Sequence, residues 1–347
     1  FPTETVYGVA ANAAHPQAVA RLRALKGRAD SQPFTVHLGR RSDARRYLTQ
    51  PAPVVRRLAR RAWPGPLTIL CNEPVPERTE IAAQCPPSQL HEVFHAGMVG
   101  LRCPDHPVAA RLLAAADAPI VASSANRHGR PPPRDAQDAL RELDGLVEYA
   151  IDSGPTRHNL ASTIVEVCGD QWRIVRPGAL NDRSVARLAQ STVLFVCTGN
   201  SCRSPMAEYL FRTALARELN LSNDGLLQAG YRVLSAGTAA SSGGRASAGA
   251  AEEMSRRGLD LAPHRTQPLT VELIHAAERI HVMSEEHRRA VLDLSPLAAG
   301  RVALLDPQGS VPDPIGGSAT DYEHCAEQVQ RALGVRLREY LDEDRNW

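Results

Sequence analysis

The chain contains almost no lysine. Of its 40 basic residues, Lys26 is the only lysine and the others are arginine. This usage reflects a bias in composition, so a position that keeps lysine is a candidate for a role that needs a compact ammonium group instead of a planar guanidinium. Lys26 is therefore a candidate functional residue before any motif is considered.

Other absences limit the class of protein. The sequence has no long apolar run and no recognisable signal peptide, its seven cysteines follow no regular spacing, and its formal net charge is only +2. These features give no indication of a membrane or nucleic-acid partner, and they favour reduced thiols in the cytoplasm. We predict a cytoplasmic protein, and 347 residues are enough for two domains.

The clearest motif begins in the strand-like run 193–196. Cys197 and Gly199 follow this run directly, with Arg203 and Pro205 a few residues later. The apolar run predicts a buried parallel strand, the glycine a tight loop, and the proline the first turn of a helix. A cysteine beside a helix N-terminus and a cation ionises easily, and an arginine can hold two phosphate oxygens. The spacing predicts a thiolate that faces a bound phosphoryl group.

The array Cys197-x5-Arg203-Ser204 resembles the phosphate-binding loop of the low-molecular-weight protein tyrosine phosphatases, and the resemblance extends from about Thr192 to the C-terminus. It implies that Cys197 attacks phosphorus while Arg203 and the loop amides stabilise the transition state, without a cofactor. Asn200 and Ser204 would orient the loop and stabilise the thiolate. The other loop positions are Thr198, Gly199, Ser201 and Cys202.

The resemblance also implies an aspartate, in an Asp-Pro pair on a late loop, that protonates the leaving group and then takes a proton from water. Asp306 and Asp313 both precede a proline. We choose Asp313, because residues 313–318 resemble the acid loop of the family and precede the last amphipathic segment. Asp306 directly follows the apolar run 302–305, which favours a turn at the end of a strand.

Two positions bear on the substrate of this half. Tyrosine-directed members often carry an aromatic residue after the acid Asp-Pro pair, where this chain has Ile315. Ser201 stands where tyrosine-directed bacterial members often have a bulkier apolar residue and protein-arginine phosphatases have threonine. Phosphotyrosine and phosphoarginine therefore both stay open as substrates. Cys202 would either trap an oxidised Cys197 as a disulfide or act as a packed thiol.

Short motifs also run through the first half of the chain. In order they are Phe1-Pro2-Thr3-Glu4-Thr5-Val6-Tyr7-Gly8, Lys26-Gly27-Arg28, Trp63-Pro64-Gly65-Pro66-Leu67-Thr68, Gly100-Leu101-Arg102, Ser124-Ala125-Asn126, Ser162-Thr163-Ile164-Val165 and Arg176-Pro177-Gly178-Ala179. Each alone is weak, but in this order and spacing they resemble the threonylcarbamoyl-AMP synthase family with its YrdC-like fold. The resemblance extends from Phe1 to about Leu180.

This second resemblance implies that threonine, bicarbonate and ATP, with Mg²⁺ accompanying ATP, form an acyl-adenylate for tRNA modification and release pyrophosphate. Such chemistry needs fixed cations and small polar donors around a cleft. The positions that match for ATP are Lys26, Arg28, Ser124, Asn126 and Arg176. The positions that match for threonine are Thr3, His37, Arg102 and Ser162, with Arg102 the partner of the carboxylate.

The predicted fold is an α/β protein of two domains. Residues 1–180 would form a YrdC-like α/β fold with a twisted mixed sheet, residues 181–191 a linker, and residues 192–347 a doubly wound parallel sheet with strands at 231–234, 279–283 and 302–305. Family members have a helix and a strand ahead of Pro2, so we expect the first domain to lack them.

We predict a fusion of a threonylcarbamoyladenylate synthase, which serves the tRNA-modification machinery, and a cysteine-dependent phosphatase that acts on phosphorylated proteins. In the alternative, the first half only binds nucleotide or RNA as a regulatory module, and the second half is a protein-arginine phosphatase.

Overall fold

The computed structural model describes residues 1–27 and 33–345, with side chains as far as residue 342. Contacts among these residues divide the chain into two units, Phe1–Ala189 and a unit that begins at Gln190. Within the described ranges, no helix has both the length and the apolar character that crossing a membrane requires.

The first unit contains a mixed sheet of eight strands among its described residues. The strands are β1 (Gly8–Asn12), β2 (Thr35–His37), β3 (Leu67–Asn72), β4 (Phe94–His95), β5 (Met98–Arg102), β6 (Ile120–Ser124), β7 (Thr163–Cys168) and β8 (Gln171–Arg176). They lie in the order β1-β6-β2-β5-β3-β7-β8, with β4 paired to β5. The β2–β5 and β3–β7 pairs are parallel, whereas the β1–β6, β2–β6, β3–β5, β4–β5 and β7–β8 pairs are antiparallel. The predicted mixed sheet is confirmed.

The helices of this unit are α1 (Pro16–Lys26), α2 (Pro53–Ala62), α3 (Pro107–Ala115), α4 (Ala136–Leu143) and α5 (Asp182–Ala189). Short 3₁₀ turns lie at Arg41–Tyr47, Pro76–Arg78, Glu80–Ala83 and Pro87–Glu92. Proline in the first turn starts α1, where its fixed φ suits a helix. Gly27 ends α1 with φ +56°, a left-handed conformation that glycine adopts without strain, and this stop leaves Lys26 in the last turn.

The segment 181–191, which we predicted as the linker, contains helix α5. Val185 and Ala189 are buried in the core of the first unit, and the buried Arg57 of α2 donates a hydrogen bond from Nε to the Ala189 carbonyl oxygen at 2.8 Å. The division between units falls after Ala189 because these apolar residues, one helical turn apart, pack against α2. The domain boundaries stay a prediction.

The second unit contains a parallel sheet with strands β9 (Ser191–Cys197), β10 (Tyr231–Gly237), β11 (Arg279–Val282) and β12 (Val302–Leu304), in the order β10-β9-β11-β12. Its helices are α6 (Arg203–Leu219), α7 (Asn223–Gln228), α8 (Ala248–Arg256), α9 (Val271–Ala276), α10 (Glu285–Leu294) and α11 (Ala319–Arg345), with a 3₁₀ turn at Pro296–Ala298. The three strands predicted after β9 are present.

Strand β9 is buried along its whole length, and its side chains alternate between two cores. Phe195 and Cys197 belong to the core that contains residues of α6, α8 and α11, whereas Leu194 and Val196 belong to the core that contains residues of α9 and α10. Helices therefore cover both faces of the sheet, and the predicted doubly wound fold is confirmed. In such a fold, sites form at the carboxyl ends of the strands, which is where Cys197 lies.

Candidate functional site

In the second unit, the loop that follows β9 joins the strand to the N-terminus of α6. Cys197 is the last residue of β9 and is 2% exposed, and α6 begins at Arg203. Asn200 turns the loop with φ +54°. Gly237 at the end of β10 allows the close approach of this loop, because a Cβ atom there would lie 2.5 Å from the Thr198 carbonyl oxygen. The nucleophile is thus placed at the positive end of a 17-residue helix.

A hydroxyl group faces the candidate nucleophile. Ser204 Oγ lies 3.0 Å from Cys197 Sγ and accepts a hydrogen bond from Asn200 Nδ2 at 3.0 Å. Since the hydroxyl already accepts from the amide, its own proton is available for Sγ, the nearer of its two acceptors. A hydrogen bond donated to sulfur stabilises the thiolate form. The resemblance implied such a role for Asn200 and Ser204, and the role stays a prediction.

Asn200 is fully buried and is held from three sides. Its Nδ2 donates to Ser235 Oγ at 2.8 Å, its Oδ1 accepts from the Gln267 backbone N–H at 2.9 Å, and its carbonyl oxygen lies 2.8 Å from His264 Nε2. Ser235 in turn donates to Glu208, whose pKa burial raises. This network fixes the loop from β10 and α6.

Arg203 is 6% exposed and is oriented by three partners. It donates to the Val311 carbonyl oxygen and to Thr198 Oγ1, both at 3.2 Å, and it forms an ion pair with Asp313. Its Nε is buried without a hydrogen-bond partner among the described residues. The guanidinium therefore keeps a donor that a phosphoryl oxygen could use.

The two candidate acids lie in different surroundings. Asp313 forms an ion pair with Arg203, and its side chain is 38% exposed. Asp306 instead accepts hydrogen bonds from the Gln308 backbone N–H of its own turn at 2.9 Å and from Gln328 Nε2 of α11 at 2.8 Å. Asp313, and not Asp306, contacts Arg203. The acid role of Asp313 stays a prediction.

In the first unit, a cleft of about 260 Å³ collects six of the residues predicted from short motifs. Those that line it are Thr3, His37, Arg102, Ser124, Ser162 and Arg176. They come from the segment before β1, from four strands of the sheet and from the loop before β7. Residues that lie far apart in the chain thus share one cleft.

Arg102 is buried at the base of this cleft. Its guanidinium donates to Glu4 Oε1 at 3.0 Å, to Thr5 Oγ1 at 2.5 Å and to Thr3 Oγ1 at 3.4 Å. Its Nε is buried and has no partner in the part of the chain that the structure describes. The fully buried Glu4 compensates the charge, since an unpaired cation in this position would be costly.

His37 at the end of β2 is neutral. Burial, and to a lesser degree the nearby charge of Arg102, lowers the pKa of His37 from its ordinary 6.5 to about 3. Its Nδ1 lies 3.1 Å from the Thr35 carbonyl oxygen. Because a carbonyl oxygen only accepts, Nδ1 carries the proton, and Nε2 is left as an acceptor.

Two cations predicted for ATP bind backbone carbonyl groups. Arg176, which lines the cleft, donates to the Ser162 carbonyl oxygen at 2.7 Å and to Ser162 Oγ at 3.1 Å. Lys26 Nζ donates to the carbonyl oxygen of the cleft residue Ser124 at 2.8 Å, to Asn126 Oδ1 at 3.1 Å and to the Asn126 carbonyl oxygen. The single lysine of the chain therefore fixes the 124–126 loop. Arg28 lies outside the described residues.

Comparison with known proteins gives a match in each half. The Sua5/YciO/YrdC family model, described as telomere recombination, matches residues 1–178, and the model for low-molecular-weight phosphotyrosine protein phosphatases matches residues 192–346. The chain is 36% identical over 188 residues to the threonylcarbamoyl-AMP synthase of Bacillus subtilis (strain 168), which covers 53% of this chain and 51% of that protein. It is 34% identical over 159 residues to the protein-arginine-phosphatase of the same strain, which covers 44% of this chain and 98% of that protein.

The chain belongs to both families, one in each half. It spans about half the length of the synthase relative. Among solved structures, a crystal structure of a YwlE mutant from Bacillus subtilis is 31% identical, covers 44% of this chain and 99% of that chain, and has a TM-score of 0.39. The two resemblances inferred from motifs are confirmed.

The phosphatase half contains a site residue that the sequence analysis missed. His287 is 5% exposed, its Nε2 lies 2.9 Å from Thr198 Oγ1, and its Nδ1 lies 2.7 Å from Ser284 Oγ. Burial, and next the charge of Arg203, lowers the pKa of His287. Its position was a usable signal, because Ser284 comes shortly after β11, His287 lies in the first turn of α10, and the carboxyl ends of neighbouring parallel strands meet at one edge.

The remaining loop residues of the phosphatase half bear on alternatives left open by the sequence. Cys202 Sγ lies 3.0 Å from Ser247 Oγ and 3.8 Å from Tyr322 OH, so it has polar partners of its own. Ser201 Oγ lies 3.6 Å from the same sulfur, and Ile315 is 58% exposed. Because residue 315 is an exposed isoleucine, this position has no aromatic side chain that could stack on a substrate.

In the YrdC-like half, the sequence analysis missed three polar residues. Glu4 and Thr5 stand inside a quoted motif but received no role, and they bind Arg102. Thr68 Oγ1 lies 2.9 Å from Ser162 Oγ, at the side of the cleft next to Arg176. All three stand inside motifs that mark the resemblance, Glu4 and Thr5 in the first and Thr68 at the end of Trp63-Pro64-Gly65-Pro66-Leu67-Thr68, and this position was the available signal.

Proposed function

We propose that the chain is a bifunctional enzyme, an L-threonylcarbamoyladenylate synthase joined to a cysteine-dependent protein phosphatase. The observation that carries the phosphatase assignment is the arrangement of Cys197 at the N-terminus of α6, with Ser204 Oγ at 3.0 Å and with the Arg203–Asp313 pair beside it. A nucleophile, an anion-binding cation and an acid are thereby placed around one loop.

In the proposed phosphatase reaction, the Cys197 thiolate attacks phosphorus and the bond from phosphorus to the leaving group breaks. Asp313 gives its proton to the departing group. Asp313 then takes a proton from water as the water oxygen attacks the phosphocysteine, the P–S bond breaks, and inorganic phosphate leaves. Arg203 holds two phosphoryl oxygens in both steps, so it must exchange Asp313 for the phosphoryl group when substrate binds.

The substrate of this half is a phosphorylated protein. Phosphoarginine is favoured by the small hydroxyl of Ser201 and by the exposed, non-aromatic Ile315, and a relative of this half is named protein-arginine-phosphatase. Rates of hydrolysis of phosphoarginine and phosphotyrosine peptides by the full chain would decide between them. A higher kcat/KM for phosphotyrosine would reject the phosphoarginine assignment.

In the proposed synthase reaction, the threonine amine and bicarbonate give a carbamate and water. A carbamate oxygen attacks the α-phosphorus of ATP, the bond from this phosphorus to the oxygen that bridges it to the β-phosphate breaks, and pyrophosphate leaves. Arg102 would hold the threonine carboxylate, with Thr3, His37 and Ser162 around the amino acid. Arg176, Ser124 and Asn126 would contact the nucleotide, and Lys26 would hold the 124–126 loop in position.

Mg²⁺ with ATP is part of this proposal. In the described ranges, no cluster of three or more histidine, cysteine or acidic side chains offers a metal site. Phosphate oxygens of ATP would therefore supply most ligands of the ion, and no step above depends on it. A cytoplasmic location and the use of the product by tRNA-modification enzymes also belong to the proposal.

Pyrophosphate release from ATP tests the synthase assignment. We expect release that requires both threonine and bicarbonate and that falls in Lys26→Ala. If ATP binds but no pyrophosphate forms, while the same sample hydrolyses an aryl phosphate, the first half is a nucleotide-binding module and the synthase proposal fails.

A further inference from the structure

A polar cavity lies in the phosphatase unit, away from the loop 197–204. Its volume is about 200 Å³. Arg279 and Val302, the first residues of β11 and β12, line it, whereas Cys197 is the last residue of β9. Because these strands are parallel, the cavity lies at the opposite edge of the sheet from the nucleophile. The functions proposed above make no use of it.

The lining of this cavity is strongly cationic. Three arginines line it, Arg279, Arg301 and Arg336, and among the described lining residues Glu339 is the acid that opposes them. The Glu339 side chain is 53% exposed, whereas that of Arg336 is 12% exposed. Since solvent screens the carboxylate more than the partly buried guanidinium group of Arg336, the interior of the cavity favours an anion.

Two of these cations are held in place by the backbone. Arg301 donates to carbonyl oxygens in the last turn of α9, one of them at 3.1 Å. Arg336 donates from Nε to the Leu305 carbonyl oxygen at 3.0 Å and from Nη1 to Glu339 at 2.8 Å. A guanidinium has five N–H donors, so both groups keep donors without a partner in the described part of the chain. Cations already fixed in position lose little freedom when a ligand binds.

A buried histidine supplies an independent signal. His281 lines the cavity, is 6% exposed, and has no hydrogen-bond partner at Nδ1 among the described residues. Its ring stacks on Phe195 at 5.7 Å between centroids. Burial, followed by the charges of Arg336 and Arg279, lowers the pKa of His281 to about 3. A buried polar atom without a partner is rare in folded proteins and indicates a missing ligand or solvent molecule.

We propose that this cavity is a binding site for a small oxyanion of the phosphate class. Its oxygens would accept hydrogen bonds from Arg301, Arg336 and Arg279 and from the Nδ1–H of His281. The volume is several times the roughly 30 Å³ that one water molecule occupies in the liquid, so it admits a tetrahedral oxyanion with hydration water. A free ion and the phosphoryl group of a larger molecule share this chemistry.

The test is a phosphate titration of the full chain, labelled at histidine with ¹³C and followed by NMR at constant ionic strength and pH 7. The His281 signal is identified by its loss in His281→Leu, and His287 reports separately on the catalytic loop through Thr198. We expect a saturable shift of the His281 signal, which persists in Arg203→Ala while the His287 response disappears. A parallel titration with AMP distinguishes a site for the free ion from one that also admits a phosphomonoester.

Matched variants locate the binding. Arg279→Gln and Arg336→Gln are each expected to raise the dissociation constant for phosphate, measured from the His281 signal, by about tenfold or more. This is the effect of losing one charge-assisted hydrogen bond. Arg331→Gln, on the same helix as Arg336 but 70% exposed and outside the cavity, should leave it unchanged. If Arg336→Gln fails to fold, Arg279→Gln alone decides. A shift that is absent, that does not saturate, or that vanishes in Arg203→Ala would overturn the proposal.

Discussion

The two candidate active sites are built in opposite ways. The phosphatase site takes its nucleophile, cation and thiol-facing hydroxyl from eight consecutive positions, 197–204, and adds one distant residue, Asp313. The synthase cleft draws its residues from positions between 3 and 176. The first site depends on a single strand–loop–helix junction, whereas the second depends on the correct assembly of a whole sheet.

The two sites also differ in the acid that pairs with the main arginine of each site. Arg203 is paired with Asp313, whose side chain is 38% exposed and can move away when a phosphoryl group binds. Arg102 is paired with Glu4, which is fully buried and cannot be replaced without leaving a buried charge. We infer that the phosphatase exchanges partners during its cycle, while the synthase keeps its ion pair and uses it as a fixed support.

The largest effect is expected from a substitution that inactivates only the phosphatase site. Cys197→Ser should lower kcat for an aryl phosphate by at least about 10⁴-fold, because the hydroxyl is a far weaker nucleophile than a thiolate. Cys202→Ser is the matched control, since that thiol contacts Ser247 and Tyr322. Comparable losses in both variants would mean that the nucleophile has been assigned wrongly.

The next effect separates the two candidate acids. Asp313→Ala should slow turnover by roughly 10²–10⁴-fold, the usual contribution of general acid–base catalysis. Asp306→Ala should leave turnover nearly unchanged, because this carboxylate serves only its own turn and Gln328. Steady-state kinetics with a poor leaving group would expose the difference most clearly, and the reverse order would transfer the acid role to Asp306.

A smaller effect is expected from a substitution in the synthase cleft. Arg102→Lys keeps the charge opposite Glu4 but loses the planar fork, so kcat/KM for threonine should fall by about tenfold or more while KM for ATP stays nearly constant. Arg157→Lys, at an exposed arginine that pairs with Asp105, serves as the control. Equal changes in the two Michaelis constants would show that Arg102 supports the fold of the cleft and not threonine itself.

The smallest effect concerns stability in acid, and both units contribute to it. His37 and His281 have pKa values of about 3 when folded against an ordinary 6.5, so below pH 6.5 the unfolded chain binds more protons than the folded one. The stability that they contribute is present above pH 6.5 and is lost as the pH falls toward 3. In denaturant titrations between pH 4.5 and 7.5, His281→Leu should flatten the pH dependence for the second unit only. An unchanged slope would contradict the neutral buried state.

The contrast between the sites also explains how much could be predicted from the sequence. The phosphate-binding loop with its flanking strand and helix follows from adjacent residues, whereas the choice of Asp313 came from the resemblance of residues 313–318 to the acid loop of the family. Ser235 and Gln267 were missed, because they approach the loop from β10 and from a separate loop, and no local pattern marks such contacts. His287 was also missed, although its position shortly after β11 was a usable signal.

In the synthase half, the short motifs indicated six cleft residues but not the partners that fix them. Glu4 was left without a role, since its importance comes only from burial beside Arg102. Likewise, the segment 181–191 is polar in composition, and its two buried residues, Val185 and Ala189, become meaningful only when α2 provides a surface for them. Side-chain pairing across a fold is what the sequence alone could not provide.

The most direct test of two independent active sites is to measure both reactions on the same preparations of the full chain. Pyrophosphate release with ATP, threonine and bicarbonate, and hydrolysis of an aryl phosphate, would be followed in the unaltered chain, in Cys197→Ser and in Lys26→Ala. We predict that Cys197→Ser loses only hydrolysis and that Lys26→Ala loses only pyrophosphate release. Pyrophosphate release that is absent from the unaltered chain, or that is lost in Cys197→Ser, would contradict the account.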